Sequence, residues 1–562
     1  MNMNRIFRNS LLMFAVGALA VSCADYNETD DFRATTDPTH VEPYKDLAPV
    51  KSYIDRATYP NMTLGATLKV SDFNKQELAH AAAVANFDNI TFGTTLMSGT
   101  IINEKGVMNF LDMSDLLDHV EEIGYDVYGS PLFGNANQAD KWLSRLTAPI
   151  EIPVDYVEGK VVNYNDSTKF NGTIEKGKAS IVTYDSQKVL QVGTLSNIRI
   201  IEGFEVDSLA KYTVTFWAKA DKPVSYSICF SGNQPSEFNK TENKEEAIKY
   251  TLKATGNWTK VVFEIQSKPG ETEGYFRIDN TRTAPIYIQK VQVGYYPDNH
   301  RPQTAQERLD TIHHAINSWC DGFMKINKGR ITSFDLIDEP IDAKAELADH
   351  PGIFDLKHST EKIFWQDEIG SENYAQIVSN AASAAFEKYQ GDPAKLKFFI
   401  SETGLEDQQK FESLKYWLDV WKSAKIDGIN AKLNLTYSED AATQQATEAN
   451  LNKMLDNLAS TGKLIRLSNL DIKYQDAEGL AVTADKITEA QRQQLADFYG
   501  YVIKSYLAKI AKDKQAGICK SNLVDTSDPV GLWSNSEIDN KHTKDWVRTA
   551  TYKAFCDALS GK

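Results

Sequence analysis

The sequence predicts an α/β protein, a (β/α)8 barrel interrupted by an inserted all-β, jelly-roll-like sandwich. Three observations predict it. Short apolar strands alternate with helices between Tyr59 and Tyr128. Helical periodicity is then almost lost from Ile150 to Tyr296, where period-two strands follow one another. The alternation resumes at Thr304 and continues to Ile518.

Tyr59 to Ala66 reads as a first barrel strand after a proline turn, and Lys75 to Asn86 as an Ala-rich helix. Phe87 to Phe92 is the next strand. Ser114 is expected to cap a helix that places Leu116, Val120 and Ile123 on one face, with Gly124 ending it and Tyr125 to Tyr128 forming the third strand. The insert contains strands at Lys211 to Ala218, Trp258 to Ile265, Gly274 to Ile278 and Pro285 to Val293, separated by turn clusters such as Asn171-Gly172. After a helix from Thr304 to Ile326 comes Ile331-Thr-Ser-Phe-Asp-Leu-Ile-Asp-Glu-Pro340. Phe334, Leu336 and Ile337 make it a buried strand, and Pro340 stops it for lack of an N–H. The acid pair Asp338-Glu339 thus falls at the strand's C-terminal end, where such barrels place active sites. A capping or loop-stabilising pair is the alternative. Strands at Leu396 to Ile400, Gly428 to Asn434, Leu464 to Leu467 and near Gly517 complete eight, with helices at Ser371 to Tyr389, Phe411 to Lys425 and Glu489 to Asp513.

A chain of 562 residues is long for one domain. The segments expected are 1–22 (signal), 23–54 (flexible tether), 55–149 with 298–560 (barrel) and 150–297 (sandwich). A formal net charge of −16 argues against nucleic acid as a partner. Arg5 and Arg8 precede the apolar run Leu11 to Val21, a targeting segment. The run Leu19-Ala-Val-Ser-Cys23 resembles the lipobox of bacterial lipoproteins. That implies a lipid on Cys23 and an outer-membrane, surface-facing location; an ordinary secretory signal is the alternative. Cys229, Cys320, Cys519 and Cys556 lack metal-ligand spacing, and no metal or cofactor is expected.

The barrel segments resemble glycoside hydrolase family 10, the endo-β-1,4-xylanases. The likeness rests on Phe364-Trp-Gln-Asp-Glu-Ile-Gly-Ser-Glu-Asn-Tyr374, Ala385-Phe386, Asp392-Pro-Ala-Lys-Leu396, Ile426-Asp-Gly-Ile429, Leu470-Asp-Ile472 and Leu64-Gly-Ala66, in that family's order. The insert resembles carbohydrate-binding modules of the family 4/9/22 type. The resemblance implies a retaining mechanism with two carboxyl groups, one the acid/base and one the nucleophile. Phe334 to Glu339 matches the family's Trp-Asp-Val-Val-Asn-Glu, which assigns Glu339 to the acid/base position, with Asp338 where the family has Asn. Leu467-Ser-Asn-Leu-Asp471 matches Ile-Thr-Glu-Leu-Asp, which puts Asn469 at the nucleophile position. An amide is neutral and cannot form the glycosyl ester. Other sugar-clamping runs are replaced too, including the segments around Asn135, Lys432 with Asn434, and Ser521-Asn522.

The expected function is therefore a lipid-anchored protein that binds a plant-type, β-1,4-linked polysaccharide, alongside outer-membrane glycan-uptake proteins. Glycan contacts are expected at Trp217, Arg277, Lys432, Asn434 and Asn135, with Tyr250 and Tyr275 as weaker candidates. Trp217 shares a strand face with Thr213 and Thr215, opposite Tyr212, Val214 and Phe216; packing under a loop is its alternative. A hydrolase is the second reading, with Glu339 as acid and Asp338, Glu402 or Asp471 recruited as second carboxylate. A structural protein without sugar contacts is the third.

Overall fold

The computed structural model describes residues 44–207, 210–239, 242–296, 299–538 and 543–562. Cys23 and the signal lie outside the described residues. The chain divides into two compact units: Ala148–Gln303, and the chain up to and including Thr147 together with Thr304–Lys562. The insert thus runs slightly beyond the 150–297 expected.

Eight parallel strands build the larger unit: β1 (Leu64–Thr67), β2 (Asn89–Thr91), β3 (Asp126–Val127), β4 (Ser333–Asp338), β5 (Lys397–Thr403), β6 (Gly428–Lys432), β7 (Leu464–Ser468) and β8 (Gln515–Lys520). Their hydrogen-bonded order is β3-β2-β1-β8-β7-β6-β5-β4. The stretch that carries β3 continues to Phe133–Gly134, which pairs with the end of β4, and Gly129 bridges Phe334. The sheet therefore closes on itself as a (β/α)8 barrel. Strands buried on both faces need near-continuous apolar runs. Phe334, Leu336 and Ile337 of β4 are all essentially inaccessible.

Register aligns the strand ends into one rim. Asp338 pairs with Ser401, Thr403 with Lys432, and Lys432 with Ser468. Glu339 and Asn469 each follow directly after a strand at that rim.

Helix boundaries shift where local chemistry differs from the pattern. The first expected helix, Lys75 to Asn86, begins instead at Leu78, and a separate, unanticipated helix, Val70–Asn74, precedes it; Gln76, whose φ is 55°, lies between the two. The helix assigned to a Ser114 cap starts at Leu111, where Asn109 Oδ1 accepts from the Leu111 N–H, so Ser114 lies within it. The Ala305–Asn327 helix opens on a capping box between Thr304 and Glu307. A helix not anticipated, Ala441–Ser460, joins β6 to β7 and buries Leu451, Met454, Leu455 and Leu458. The tether is shorter than expected. Val50–Tyr53 forms a 3-10 turn, Val50 is fully buried in the barrel core, and its N–H donates to Asn86 Oδ1.

The smaller unit is a two-sheet sandwich. One sheet orders Tyr250–Leu252, Val224–Phe230, Glu273–Asn280, Asn197–Glu205 and Ile174–Lys176. The other orders Thr259–Gln266, Lys211–Lys219, Ile286–Tyr296, Gln187–Val192 and Ala179–Tyr184. Its core takes alternate residues, among them Tyr212, Val214, Phe216, Phe276 and Ile278. The four described cysteines are buried and unpaired.

Candidate active site

A cavity of about 360 Å³ opens at the C-terminal rim of the barrel strands. Asp335, Asp338, Glu339, Asn430, Lys432, Arg466, Ser468, Asn469, Cys519 and Ser521 contribute to its wall. The structure thus brings together five of the residues singled out from sequence: Asp338, Glu339, Lys432, Asn469 and Ser521.

β4 delivers the acids and β6 answers them. Lys432 Nζ lies 3.0 Å from Glu339 Oε1 and also ion-pairs with Asp338 Oδ1. Lys357 Nζ is 3.8 Å from the other Glu339 oxygen. Burial alone would raise the Glu339 pKa, but Lys432, Lys357 and Lys410 outweigh it and hold the carboxyl below its ordinary value. Burial likewise opposes the charge on Lys432, yet Asp338 and Glu339 keep its pKa above the lysine norm. Asp338 also accepts from Ser401 Oγ at 2.6 Å.

At the end of β7, Asn469 Nδ2 donates to the Leu433 carbonyl at 2.9 Å, and its Oδ1 accepts from Ser521 Oγ at 3.0 Å. Both Glu339 and Asn469 have left-handed backbone, with φ of 43° and 56°. Asn tolerates that region; for Glu it is a strained conformation of the kind that clusters at functional sites. Asp471 is engaged elsewhere, by fully buried Lys520 and by the Asn522 amide at 2.5 Å.

The remaining expected residues lie outside this cavity. Glu402 is fully buried, takes N–H groups from Ile341 and Thr403, and pairs with Lys410 at 2.8 Å. It is not part of the cavity wall, which corrects its expected place facing the cleft: Lys410, from the helix that follows the strand, claims it. Asn135 accepts from Gln366 Nε2 at 3.1 Å, and Asn434 lines a separate cavity of about 230 Å³. In the sandwich, Trp217 sits between Lys260 and Lys290, whose ammonium groups lie 5.7 and 5.3 Å from its ring centroid. Arg277 belongs to the other sheet and is held by Glu175 and Asp279, each at 2.8 Å. Alternation turns Trp217 and Arg277 outward on opposite sheets, so the two share no surface.

Residues 295–527 match the family described as glycosyl hydrolase family 10. The match covers less than half of the chain, and that stretch is similar to family 10 domains. It spans β4 to β8 and contains both Glu339 and Asn469. Solved structures to which the chain is similar include the following three. Xylanase B from Clostridium stercorarium F9 is 11% identical, with a TM-score of 0.48 over 91% of this chain and 100% of that one. TsXylA, an intracellular xylanase from Thermoanaerobacterium saccharolyticum JW/SL-YS485, is 12% identical, with a TM-score of 0.47 over 91% and 99%. Penicillium canescens endo-1,4-beta-xylanase XylE is 12% identical, with a TM-score of 0.46 over 91% and 98%. No curated protein matches the chain.

Sequence reasoning missed two charged residues of the cavity at the barrel rim. Asp335 is buried, accepts from Tyr128 Oη at 2.7 Å and from Asn430 Nδ2, and burial pushes its pKa up to about 6. Arg466 lies inside β7 with its guanidinium 3.8 Å above the Tyr128 ring. The signal was a charge set within a buried apolar run, in Phe334 to Ile337 and Leu464 to Leu467.

Proposed function

We propose that this chain binds a β-linked, xylan-type polysaccharide without hydrolysing it, and that it does so at the outer membrane, held by lipid on Cys23 beside glycan-uptake proteins. The observation that carries the catalytic half of this reading is the pairing of one ammonium, Lys432, with both acids of β4. A glycosidase acid must be protonated at its working pH. Glu339 is held on the ionised side by the lysines around it. Asn469 in turn offers an amide where the retaining mechanism requires a carboxylate. Trp217 is half-buried on an outer sheet face, an amphipathic surface of the kind that sugars stack on.

A hydrolytic alternative draws on Asp335, a carboxyl of the same cavity whose raised pKa keeps part of it protonated near pH 6. One experiment separates the two. The full chain is incubated with insoluble xylan, mixed-linkage glucan and mannan, and both retention and new reducing ends are measured. Retention on xylan without new ends is expected, and weaker retention for Trp217→Ala. Turnover that vanishes in Glu339→Gln would overturn the binding-only reading.

A further inference from the structure

Arg466 is 1% exposed, and its Nε and Nη1 have no hydrogen-bond partner among the described residues. It lines the cavity at the barrel mouth together with Ser468, while Ile465 and Leu467 of the same strand do not. A guanidinium stays charged at any working pH; the Tyr128 ring covers one face of it at 3.8 Å, and a buried charge without a carboxylate partner remains costly. The carboxyls of the cavity are committed elsewhere. Asp335 is held by Tyr128 and Asn430, Asp338 by Ser401 and Lys432, and Glu339 by Lys432 and Lys357. Among the described residues, Arg466 is therefore the cavity's cation without a carboxylate partner.

We propose that the cavity takes a sugar carrying a carboxylate, a uronic acid unit, with that carboxylate forked on Arg466. The inference rests on the glycan-binding reading and narrows its ligand to acidic glycans. One uncommitted cation matches one negative charge; a dianionic phosphate would face Asp335, Asp338 and Glu339 with no second cation to offset it. Arg presents two parallel N–H donors that fit a planar carboxylate. Polar groups for the sugar hydroxyls line the same wall, at Thr67, Thr91, Ser468 and Ser521.

The test uses the full chain and calorimetry at low salt. The probes are glucuronate, glucose, neutral xylohexaose and inorganic sulfate. Glucuronate is expected to bind at least tenfold more tightly than glucose, and that ratio is expected to fall within twofold in Arg466→Gln. Arg466→Lys, which keeps the charge but not the fork, is expected to retain an intermediate ratio and serves if the Gln variant does not fold. Equal binding of glucuronate and glucose, or a preference that survives Arg466→Gln, would overturn the proposal. Sulfate competing as well as glucuronate would reduce the site to a general anion site and overturn the uronic acid assignment. Xylohexaose binding without a glucuronate preference sinks this proposal alone, whereas no sugar binding of any kind sinks the glycan-binding reading beneath it.

Discussion

The ends of β4 and β7 share a backbone and differ in charge. Each strand is followed by a residue with left-handed φ at the same rim, Glu339 after β4 and Asn469 after β7. Around Glu339 the neighbours are cations, Lys432 and Lys357. Around Asn469 they are one acceptor, the Leu433 carbonyl, and one donor, Ser521 Oγ. A Glu at 469 could take the Ser521 bond but would bring an oxygen against the Leu433 carbonyl. The seat at β7 is fitted to an amide and the seat at β4 to an ionised acid. Asn469 is thus matched by its surroundings, and under the binding reading proposed above the two ends would hold a ligand rather than break a glycosidic bond.

The largest effect expected concerns reaction rate. Asn469→Glu alone should stay inert, because Lys432 still keeps Glu339 ionised. Adding Lys432→Gln removes the strongest of the cations that hold Glu339 ionised, and the double variant should release reducing ends from xylan at about a hundredfold over the protein-free background, the low end of general-acid contributions. A double variant as inert as the single would show that Lys432 and Asn469 are not what keeps the cavity from hydrolysis. A stability comparison comes next. Glu402 on β5 is a carboxylate of the same barrel held by one buried lysine, Lys410, at 2.8 Å. Lys410→Met strands that charge and should cost roughly 3–5 kcal/mol in urea unfolding. Glu402→Gln with Lys410→Met should recover most of it, and xylan retention should not change in either. Lost retention would return Glu402 to the binding site.

The same contrast explains what was legible from sequence. The barrel was readable because strands buried on both faces demand runs such as Phe334 to Ile337. The rim position of Asp338-Glu339 followed from the proline behind them. The Ala441–Ser460 helix was not, because its first half is Ala, Gln and Thr and only Leu451 to Leu458 carry the apolar spacing. Glu402 looked like a rim acid by strand position, but its partner Lys410 comes from the following helix, a contact that strand spacing does not encode. Arg466 was passed over for a related reason: its identity is plain, but that its Nε and Nη1 find no hydrogen-bond partner among the described residues is visible only once eight strands converge.

The smallest effect expected separates two carboxyls on β4 and at its end by the sign of their pH dependence. Glu339 has a folded pKa below its ordinary value, so its stabilising contribution is present above about pH 4.5 and is lost as pH falls through the depressed value. Asp335 is raised from 3.8 to about 6, so it destabilises the fold increasingly as pH rises through that window, by ~3 kcal/mol once complete. His80, lowered to about 4 by burial, gives the opposite slope across much of the same range, because protonating it in the acid disfavours the fold. Differences between variants are therefore more telling than the wild-type curve. Subtracting the Asp335→Asn unfolding curve from wild type should leave a term that weakens wild type between pH 4 and 6 and is flat above. The Glu339→Gln difference should be flat there and slope only in more acidic solution. Two differences of the same sign would mean that Lys432 does not divide the acids as the ion pairs indicate, and that Glu339 is free to protonate with Asp335.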